Sequence, residues 1–180
     1  LHALPIFHTH GLFVASNCVL LNGTGMLFLH KFDADTVMRL LERSTVFMGV
    51  PTFYTRLLSH DGFDRAACRT MRLFISGSAP LLDETFHAFQ RRTGHTILER
   101  YGMTEAGMIT SNPLDGARVA GSVGPPLPGI EVRVAADDGR LLPRGETGVL
   151  EIRGPNLFKG YWRMPEKTKE EFRPDGYFIT

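Results

Sequence analysis

Short apolar stretches and amphipathic stretches alternate along the first two thirds of the chain. The apolar stretches have the length of strands and contain many β-branched and aromatic residues. They span residues 26–30, 45–50, 71–75 and 96–98. The segments between them are patterned as helices, and strands that alternate with helices form parallel βαβ units. We therefore expect an α/β fold built from parallel βαβ layers.

Three helices are predicted between these strands. They span residues 34–43, 51–58 and 84–92. Asp33 and Asp83 precede the first and the third, where a short carboxylate side chain can cap the free backbone amides. Pro51 stands in the first turn of the second helix, a position that proline favours, and Gly94 is suited to end the third.

A different pattern begins near Pro113, where glycine and proline become frequent. Alternating apolar and polar positions predict antiparallel strands at 130–134 and 149–153. A short helix at 165–171 follows, and Asp-Gly turns lie at 137–139 and 175–176. We expect two parts, an α/β subdomain over residues 1–112 and a small antiparallel β-rich subdomain over residues 113–180 that is truncated at its end.

Composition and charge exclude several classes of protein. The 180 residues are 43% hydrophobic, and 20 Lys and Arg residues nearly balance 19 Asp and Glu residues. We therefore expect one globular chain without a nucleic-acid partner. The longest apolar stretch, 12–21, is too short to cross a bilayer, so no membrane association is expected. Cys18 and Cys68 form no Cys-x-x-Cys pair and are expected to be two thiols in a reducing compartment.

The two ends of the chain carry apolar sequence. Residues 1–7 form an apolar run, and residues 177–180 resemble a strand that is cut short. Since domain termini normally lie in polar surface segments, we expect this chain to be a fragment of a longer protein.

Candidate chemistry lies where the predicted strands end, because parallel α/β sheets bind ligands beyond the carboxyl ends of their strands. Segments 50–56, 76–80 and 99–105 have this placement. The run Ser76-Gly77-Ser78-Ala79-Pro80 offers small residues and backbone amides to a flat ring or an oxyanion, although it could equally be an ordinary tight turn. It is not the Gly-x-x-x-x-Gly-Lys-Ser/Thr phosphate loop, and Pro80 stands where a hydrolase nucleophile elbow needs glycine.

The run Tyr101-Gly102-Met103-Thr104-Glu105 combines several groups that suit a nucleotide. Tyr101 can stack on an adenine ring, and Gly102 lets the backbone approach it. Thr104 offers a hydroxyl to a phosphate oxygen, and Glu105 is a hard oxygen ligand for Mg²⁺. On composition alone the same run could be a turn that enters a helix with Thr104 as its N-cap.

Five motifs in the same order resemble the adenylate-forming acyl-CoA synthetases, the AMP-binding family, from one end of the chain to the other. They lie at residues 4–11, 76–80, 99–105, 148–162 and 177–180. The resemblance implies that Thr104 and Glu105 are catalytic, with Glu105 as the Mg²⁺ ligand. The ATP-binding residues that it implies are Gly77, Ser78, Ala79, Pro80, Glu99, Arg100, Tyr101, Gly102 and Thr104. It places the acyl- and adenine-binding loops in the first subdomain; Tyr161 and Trp162 are expected in the core.

Within that family the chain is most similar to the malonyl-CoA synthetases, chiefly through Arg56. A guanidinium can hold the unreacting carboxylate of a dicarboxylate bidentately, although Arg56 could also be a solvated helix residue. Ser76 is expected to add a hydroxyl to that carboxylate, and His8 and Met103 to line the acyl pocket. His8 and His10 lack the further ligands that a zinc site would need.

The family reaction implied by the resemblance has two steps, and its substrates here would be malonate, ATP and coenzyme A. The acid is first joined to AMP, and the acyl group then passes to coenzyme A. The family's phosphate loop, ribose-binding Asp and mobile C-terminal domain lie outside these residues, so the fragment alone is expected to be inactive. A ligase for another short-chain acid, or a non-catalytic nucleotide-binding remnant, remains possible. The expected location is the cytoplasm, or the mitochondrial matrix in a eukaryote.

Overall fold

The computed structural model describes all residues from Leu1 to Thr180, and they form two compact units. The first unit spans Leu1–Pro125 and the second spans Pro126–Thr180. The first unit continues past Pro113 because the segment after residue 111 folds back on it. The side-chain amide of Asn112 donates to the carbonyl of Ser122, and the backbone amide of Ser111 donates to the carbonyl of Pro125. The functional division at residue 113 stays a prediction.

The first unit contains a four-stranded sheet in the order β1-β2-β3-β4. Its strands are β1 (Val46–Gly49), β2 (Leu73–Ser76), β3 (Leu98–Met103) and β4 (Gly107–Ser111). The pairs β1–β2 and β2–β3 are parallel, whereas β3 and β4 form an antiparallel hairpin. The parallel βαβ arrangement predicted from the alternating pattern is confirmed, since the three parallel strands are joined by helices.

Five helical segments accompany this sheet. They are a π-helix (His10–Ser16), α1 (Asn17–Asn22), α2 (Ala34–Leu41), α3 (Pro51–Leu58) and α4 (Asp83–Thr93). Asp33 caps α2 as predicted, because its carboxylate accepts the Thr36 amide at 2.9 Å. Gly94 ends α4 in the left-handed conformation that glycine adopts without strain.

The core of the first unit lies between the sheet and helices α2, α3 and α4. Phe47 on β1, Phe74 on β2 and Ile97 just before β3 point to this side and are fully buried. Tyr54 and Phe89 meet them from α3 and α4 in edge-to-face contacts. Burial of a large apolar side chain contributes about 1.5–3 kcal/mol, so this cluster fixes how the helices seat on the sheet.

Two expectations about local structure are wrong, and one alternative is excluded. Residues 26–30 form only a single bridge, between Phe28 and His2, because the Leu4 amide donates to Nδ1 of His2 instead of continuing a ladder. Asp83 does not cap α4 but lies in its first turn, where a carboxylate still complements the helix dipole. Thr104 does not open a helix, since β4 follows it in a hairpin.

The second unit is a three-stranded antiparallel sheet in the order β5-β6-β7 with one short helix. The strands are β5 (Glu131–Ala135), β6 (Val149–Arg153) and β7 (Phe178–Ile179), and the helix is α5 (Pro165–Glu170). The antiparallel pairing that the alternating pattern predicts is confirmed. None of the helices in the protein has the length and hydrophobicity that crossing a bilayer requires.

One face of this second sheet holds a buried carboxylate between two arginines. Glu151 has no exposed surface, and its two oxygens accept from Arg133 Nε at 2.7 Å and Arg173 Nε at 2.6 Å. Arg133 also pairs with Asp175 at 2.5 Å and stacks over the ring of Tyr177. Because a buried charge is costly without partners, this network holds β5, β6 and the turn before β7 together.

Candidate functional site

Three of the predicted segments meet at the carboxyl edge of the parallel strands in the first unit. Ser76, at the end of β2, pairs with Glu99 at the start of β3, so the loop 76–80 begins beside the motif 99–105. Thr9, just before the π-helix, donates its hydroxyl to Thr104 Oγ1 at 3.4 Å. The chain thus brings together segments that are distant in sequence, as the rule for ligand sites in parallel sheets predicts.

The loop after β2 is held by a histidine. Nδ1 of His10 lies 3.1 Å from Oγ of Ser78. Gly77 lies between His10 and Arg100, because a Cβ built on it would be 3.4 Å from the His10 ring and 3.6 Å from the Arg100 side chain. The π-helix therefore contacts the loop directly, and irregular helices of this kind occur frequently at functional sites.

Several buried polar atoms at this edge have no hydrogen-bond partner. They are Ser76 Oγ, Glu99 Oε1, His10 Nε2 and Arg100 Nε. Ser76 is 1% exposed and Glu99 is 5% exposed. Ser76 and Glu99 pair across β2 and β3, whereas His10 and Arg100 lie on either side of Gly77. An unsatisfied buried polar atom costs free energy, so each of these atoms calls for a specific explanation. A polar ligand bound at this edge would supply the missing partners, which is how these residues fit a nucleotide.

Burial shifts the pKa of two of these groups in opposite directions. It raises the pKa of Glu99 to about 7, helped by the charge of Asp83 and opposed by the Gly121 amide. It lowers the pKa of His10 to about 4, and the positive charge of Arg100 adds to this effect. Desolvation disfavours the charged form of either group, so His10 is neutral at pH 7 and Glu99 titrates close to it.

The hairpin formed by β3 and β4 positions the motif 99–105. Gly102 is required there because a Cβ would overlap the Gly107 carbonyl oxygen and the Met108 side chain across the hairpin. This is a different reason from the ligand approach that the sequence suggested. A bulge at Tyr101 and Gly102 shifts the register of the pair, and such bulges re-aim the side chains beside them. Tyr101 itself is half-buried.

The Thr104 hydroxyl and the Glu105 carboxylate lie in the turn between β3 and β4. Thr104 is exposed, and Glu105 is half-buried. No cluster of three or more potential metal ligands is present in the chain. A single carboxylate beside a hydroxyl nevertheless fits Mg²⁺, because this ion is usually held by one or two carboxylates together with the phosphates of a substrate.

Arg56 lies on the outer side of α3 and makes no ion pair within 4.0 Å. Its guanidinium stacks over Phe32, 4.8 Å from the ring centroid, and Phe32 stacks in turn on Phe53. Phe53 lies beside Gly49, the residue of β1 that pairs with Ser76. Arg56 and Ser76 are therefore on the same side of the sheet, linked by two aromatic rings.

The remaining predicted residues have these positions. His8 is exposed with its ring 4.7 Å from that of Phe7, and Met103 is half-buried at the end of β3. Ala79 and Pro80 are exposed in the loop after β2. Trp162, which was expected in the core, is 84% exposed in the second unit, so that expectation is wrong.

Two histidines at the start of the chain were not identified from the sequence as parts of the site. His2 is buried, accepts the Leu4 amide and contacts the Gly11 carbonyl at 2.9 Å, which fixes the entry to the π-helix. His10 is 5% exposed and reaches Ser78. The spacing of histidines alone could not reveal these contacts, because they depend on the π-helix, for which the sequence gives no pattern.

Comparison with known proteins decides the family. The family described as AMP-binding enzyme matches residues 1–162 of this chain. The chain belongs to the AMP-binding enzyme family. The resemblance predicted from its five motifs is confirmed, and with it the α/β fold of the first unit followed by a small antiparallel sheet.

Relatives within the AMP-binding family include enzymes named for malonate. The Arabidopsis thaliana malonate–CoA ligase is 43% identical over 200 residues, which cover 100% of this chain and 32% of the ligase. The structure of ATP-bound MatB from Rhodopseudomonas palustris is 61% identical, with a TM-score of 0.98, and the match covers 99% of this chain and 36% of MatB. A malonyl-CoA ligase with methylmalonyl-CoA and AMP bound is 37% identical, with a TM-score of 0.90, over 99% of this chain and 39% of the ligase.

The chain thus spans about a third of the length of these AMP-binding relatives. The part that it shares with them includes the whole carboxyl edge described above, with the loop after β2, the β3–β4 hairpin and the start of the π-helix. This edge is the candidate active site of the chain.

Proposed function

We propose that the protein containing this chain is an ATP-dependent malonate–CoA ligase. The observation that supports this most directly is the pair of unpartnered buried polar atoms on Ser76 and Glu99, which lie opposite each other where the loop 76–80 meets the motif 99–105. The 61% identity to MatB, whose structure holds ATP, supports the same ligand for this edge. Arg56, unpaired and on the same side of the sheet, supports a dicarboxylate as the acid.

In the first step, one carboxylate of malonate attacks the α-phosphorus of ATP, and pyrophosphate leaves. Transfer reactions of this kind depend mainly on positioning and on neutralising charge. Tyr101 and the loop 76–80 would hold the adenine, and Thr104 would orient the α-phosphate. Glu105 would hold Mg²⁺, which neutralises phosphate charge when bound.

In the second step, the thiol of coenzyme A attacks the acyl carbon of the adenylate. The bond from that carbon to the AMP oxygen breaks, AMP leaves, and the thiol proton goes to a base. This chain would contribute to the step by holding the adenylate, because the loop 76–80 and the β3–β4 hairpin that would bind ATP would also bind its AMP part.

Arg56 is the residue on which the choice of malonate rests. Malonate has one carboxylate that reacts and one that must be held away from the phosphorus. The Arg56 guanidinium is stacked on Phe32 and makes no ion pair within 4.0 Å, so its five donors are available, although its charge acts on the Asp33 carboxylate. Ser76, whose buried hydroxyl lacks a partner, would bind the same carboxylate from the end of β2.

The test is substitution of Arg56 in the full-length protein, with pyrophosphate release measured against malonate, methylmalonate, acetate and propionate. We expect Arg56→Ala to lower kcat/KM for malonate by about a hundredfold or more, the loss of two charge-assisted hydrogen bonds. Arg56→Lys should retain only part of the parent kcat/KM for malonate, because an ammonium cannot pair bidentately. Arg43→Ala, which removes an exposed arginine in the turn after α2, is the matched control.

The outcomes separate the candidate functions. Unchanged malonate kinetics in Arg56→Ala would show that the arginine does not hold the free carboxylate. Higher activity of the parent enzyme with methylmalonate than with malonate would favour methylmalonate, a candidate supported by the ligand of the 37% identical ligase. No pyrophosphate release with any acid would indicate a nucleotide-binding protein without ligase activity.

A further inference from the structure

His10 is a buried residue at the candidate active site to which the proposed reaction assigns no role. It is 5% exposed at the first position of the π-helix, and one ring nitrogen contacts Ser78 while the other has no partner. Thr9, its neighbour, contacts Thr104 in the β3–β4 turn. Two adjacent residues therefore contact both the loop 76–80 and the motif 99–105.

Ser78 adopts a backbone conformation that needs support. Its φ is 71°, in the left-handed region that a residue other than glycine seldom occupies, and only one other non-glycine residue in the chain, Arg163, shares it. Strain of this kind persists where surrounding contacts enforce it, and it concentrates at ligand-binding sites. The contact from His10 to the Ser78 hydroxyl, at 3.1 Å, is such a contact.

The protonation of His10 suits this contact. Burial and the charge of Arg100 lower its pKa to about 4, so the ring is neutral at pH 7 and one of its nitrogens can accept. If Nδ1 accepts the Ser78 hydroxyl, Nε2 carries the proton. Nδ1 then contacts Ser78, and Nε2 is left to donate to a bound ligand.

We propose that His10 is a positioning residue for the nucleotide, which acts by holding Ser78, and through it the loop 76–80, in the left-handed conformation that shapes the adenine side of the site. The inference rests on the proposed role of that loop in binding ATP. Loss of the contact lets Ser78 leave the left-handed conformation, so ATP and AMP bind more weakly. The affinity for malonate is unaffected.

The experiment uses the full-length protein with His10→Asn, His10→Gln and His10→Ala, since these side chains separate the two ring nitrogens. An Asn amide reaches about as far as Nδ1, and a Gln amide about as far as Nε2. We expect His10→Ala to raise the Kd for AMP, measured by calorimetry, and the KM for ATP by about tenfold, the effect of one hydrogen bond. The KM for malonate should change less than twofold. His10→Asn should restore the parent values and His10→Gln should not.

Ser78 provides an independent variant, and it remains informative if His10→Ala folds poorly. Ser78→Ala should weaken AMP binding as much as His10→Ala, and the double variant should be no worse than either, because both remove one contact. Ser78→Gly should bind AMP better than Ser78→Ala, since glycine adopts a positive φ without strain. His87→Ala, an exposed histidine on α4, is the matched control for histidine removal.

Three outcomes would overturn the proposal. Restoration by His10→Gln alone would mean that Nε2 contacts a ligand directly. Additive losses in the double variant would mean that His10 and Ser78 act separately, and equal rises in the KM for malonate and ATP would mean a general structural role. AMP binding by calorimetry does not require turnover, so it tests His10 even if no acid is activated. A parent protein that binds no AMP would contradict both this inference and the proposed nucleotide site.

Discussion

At the scale of single residues, the candidate active site contains two titratable groups that folding shifts in opposite directions. His10 and Glu99 are both 5% exposed, and burial is the main cause of both shifts. A histidine is charged when protonated and a carboxyl when deprotonated, so the same desolvation lowers one pKa and raises the other. The pH dependence of stability should therefore contain two contributions of opposite sign, which variants can separate.

His10 should make the protein less stable in acid. Its folded-state pKa of about 4 lies below the ordinary value of 6.5, so the unfolded chain binds the proton more readily between these values. The stabilising contribution is complete above pH 6.5 and is lost as the pH falls towards 4, a change on the order of 3 kcal/mol. We expect His10→Asn, compared with the parent, to reduce the fall in unfolding free energy between pH 7 and pH 4.5. An unaltered fall would contradict the lowered pKa.

Glu99 should make the protein less stable as the pH rises. Its folded-state pKa of about 7 lies above the ordinary value of 4.5, so the folded chain holds the proton more tightly in this window. Stability is greatest below pH 4.5 and is lost as the pH rises through 7, again on the order of 3 kcal/mol. Relative to the parent, Glu99→Gln should gain stability between pH 4.5 and pH 7.5. Glu84→Gln, at an exposed position of α4, controls for the loss of one carboxylate.

At the scale of elements, the sequence predicted the regular parts of the fold well. The helices α2 and α3 and the strands β1 and β2 lie within one or two residues of their expected bounds, because apolar periodicity, Asp33 and Pro51 act locally. The hairpin of β3 and β4 could not be predicted in the same way. The composition of the motif 99–105 is typical of a polar loop. Most of the motif is a strand because it pairs with β4.

The irregular elements were the hardest to predict, and they carry much of the site. The π-helix depends on buried contacts of His2 and on close approach of Gly11 to Pro5, neither of which has a signature in sequence. Roles for the motif residues Tyr101, Thr104 and Glu105 were proposed from their chemistry and their family pattern, and they stay predictions. Their supporting residue, His10, could not, because its role follows from a contact 68 residues away in sequence.

The sheet of the second unit gives a prediction at this scale. Glu151 on β6 is fully buried, and Arg133 and Arg173 converge on it from β5 and from the segment before β7. Removing Glu151 leaves Arg173 without its carboxylate, while Arg133 keeps Asp175. Removing one partner of a buried ion pair typically costs about 3–5 kcal/mol. We expect Glu151→Ala to lower the unfolding free energy of this unit by that amount in chemical denaturation.

Asp175 is the matched control for this substitution. It also pairs with Arg133, but its side chain is 52% exposed, so its ion pair is screened by solvent. We expect Asp175→Ala to cost no more than about 1 kcal/mol. Equal costs for the two variants would show that burial of Glu151 does not govern the strength of this network.

At the scale of the whole molecule, the charges at the candidate active site indicate what the rest of the protein must supply. ATP carries several negative charges, and phosphoryl chemistry requires that they be neutralised. Among the residues brought together at the carboxyl edge, Arg100 is the cation, and it is partly buried beside Gly77. His10 is neutral at pH 7, Glu99 is only partly ionised at that pH, and Glu105 adds a carboxylate. The proposed reaction therefore needs further cationic groups besides Mg²⁺.

The 180-residue chain alone should bind AMP weakly and form no malonyl-adenylate, because this neutralising charge is missing and the chain spans about a third of the relatives' length. The measurement is malonate-dependent release of pyrophosphate from ATP and Mg²⁺, with the full-length protein as the positive control and AMP calorimetry to show that the isolated chain has folded. Raising the Mg²⁺ concentration should not rescue the reaction, since the metal neutralises only part of the phosphate charge. Formation of malonyl-adenylate by the isolated chain would show that residues 1–180 contain all the groups that the first step needs.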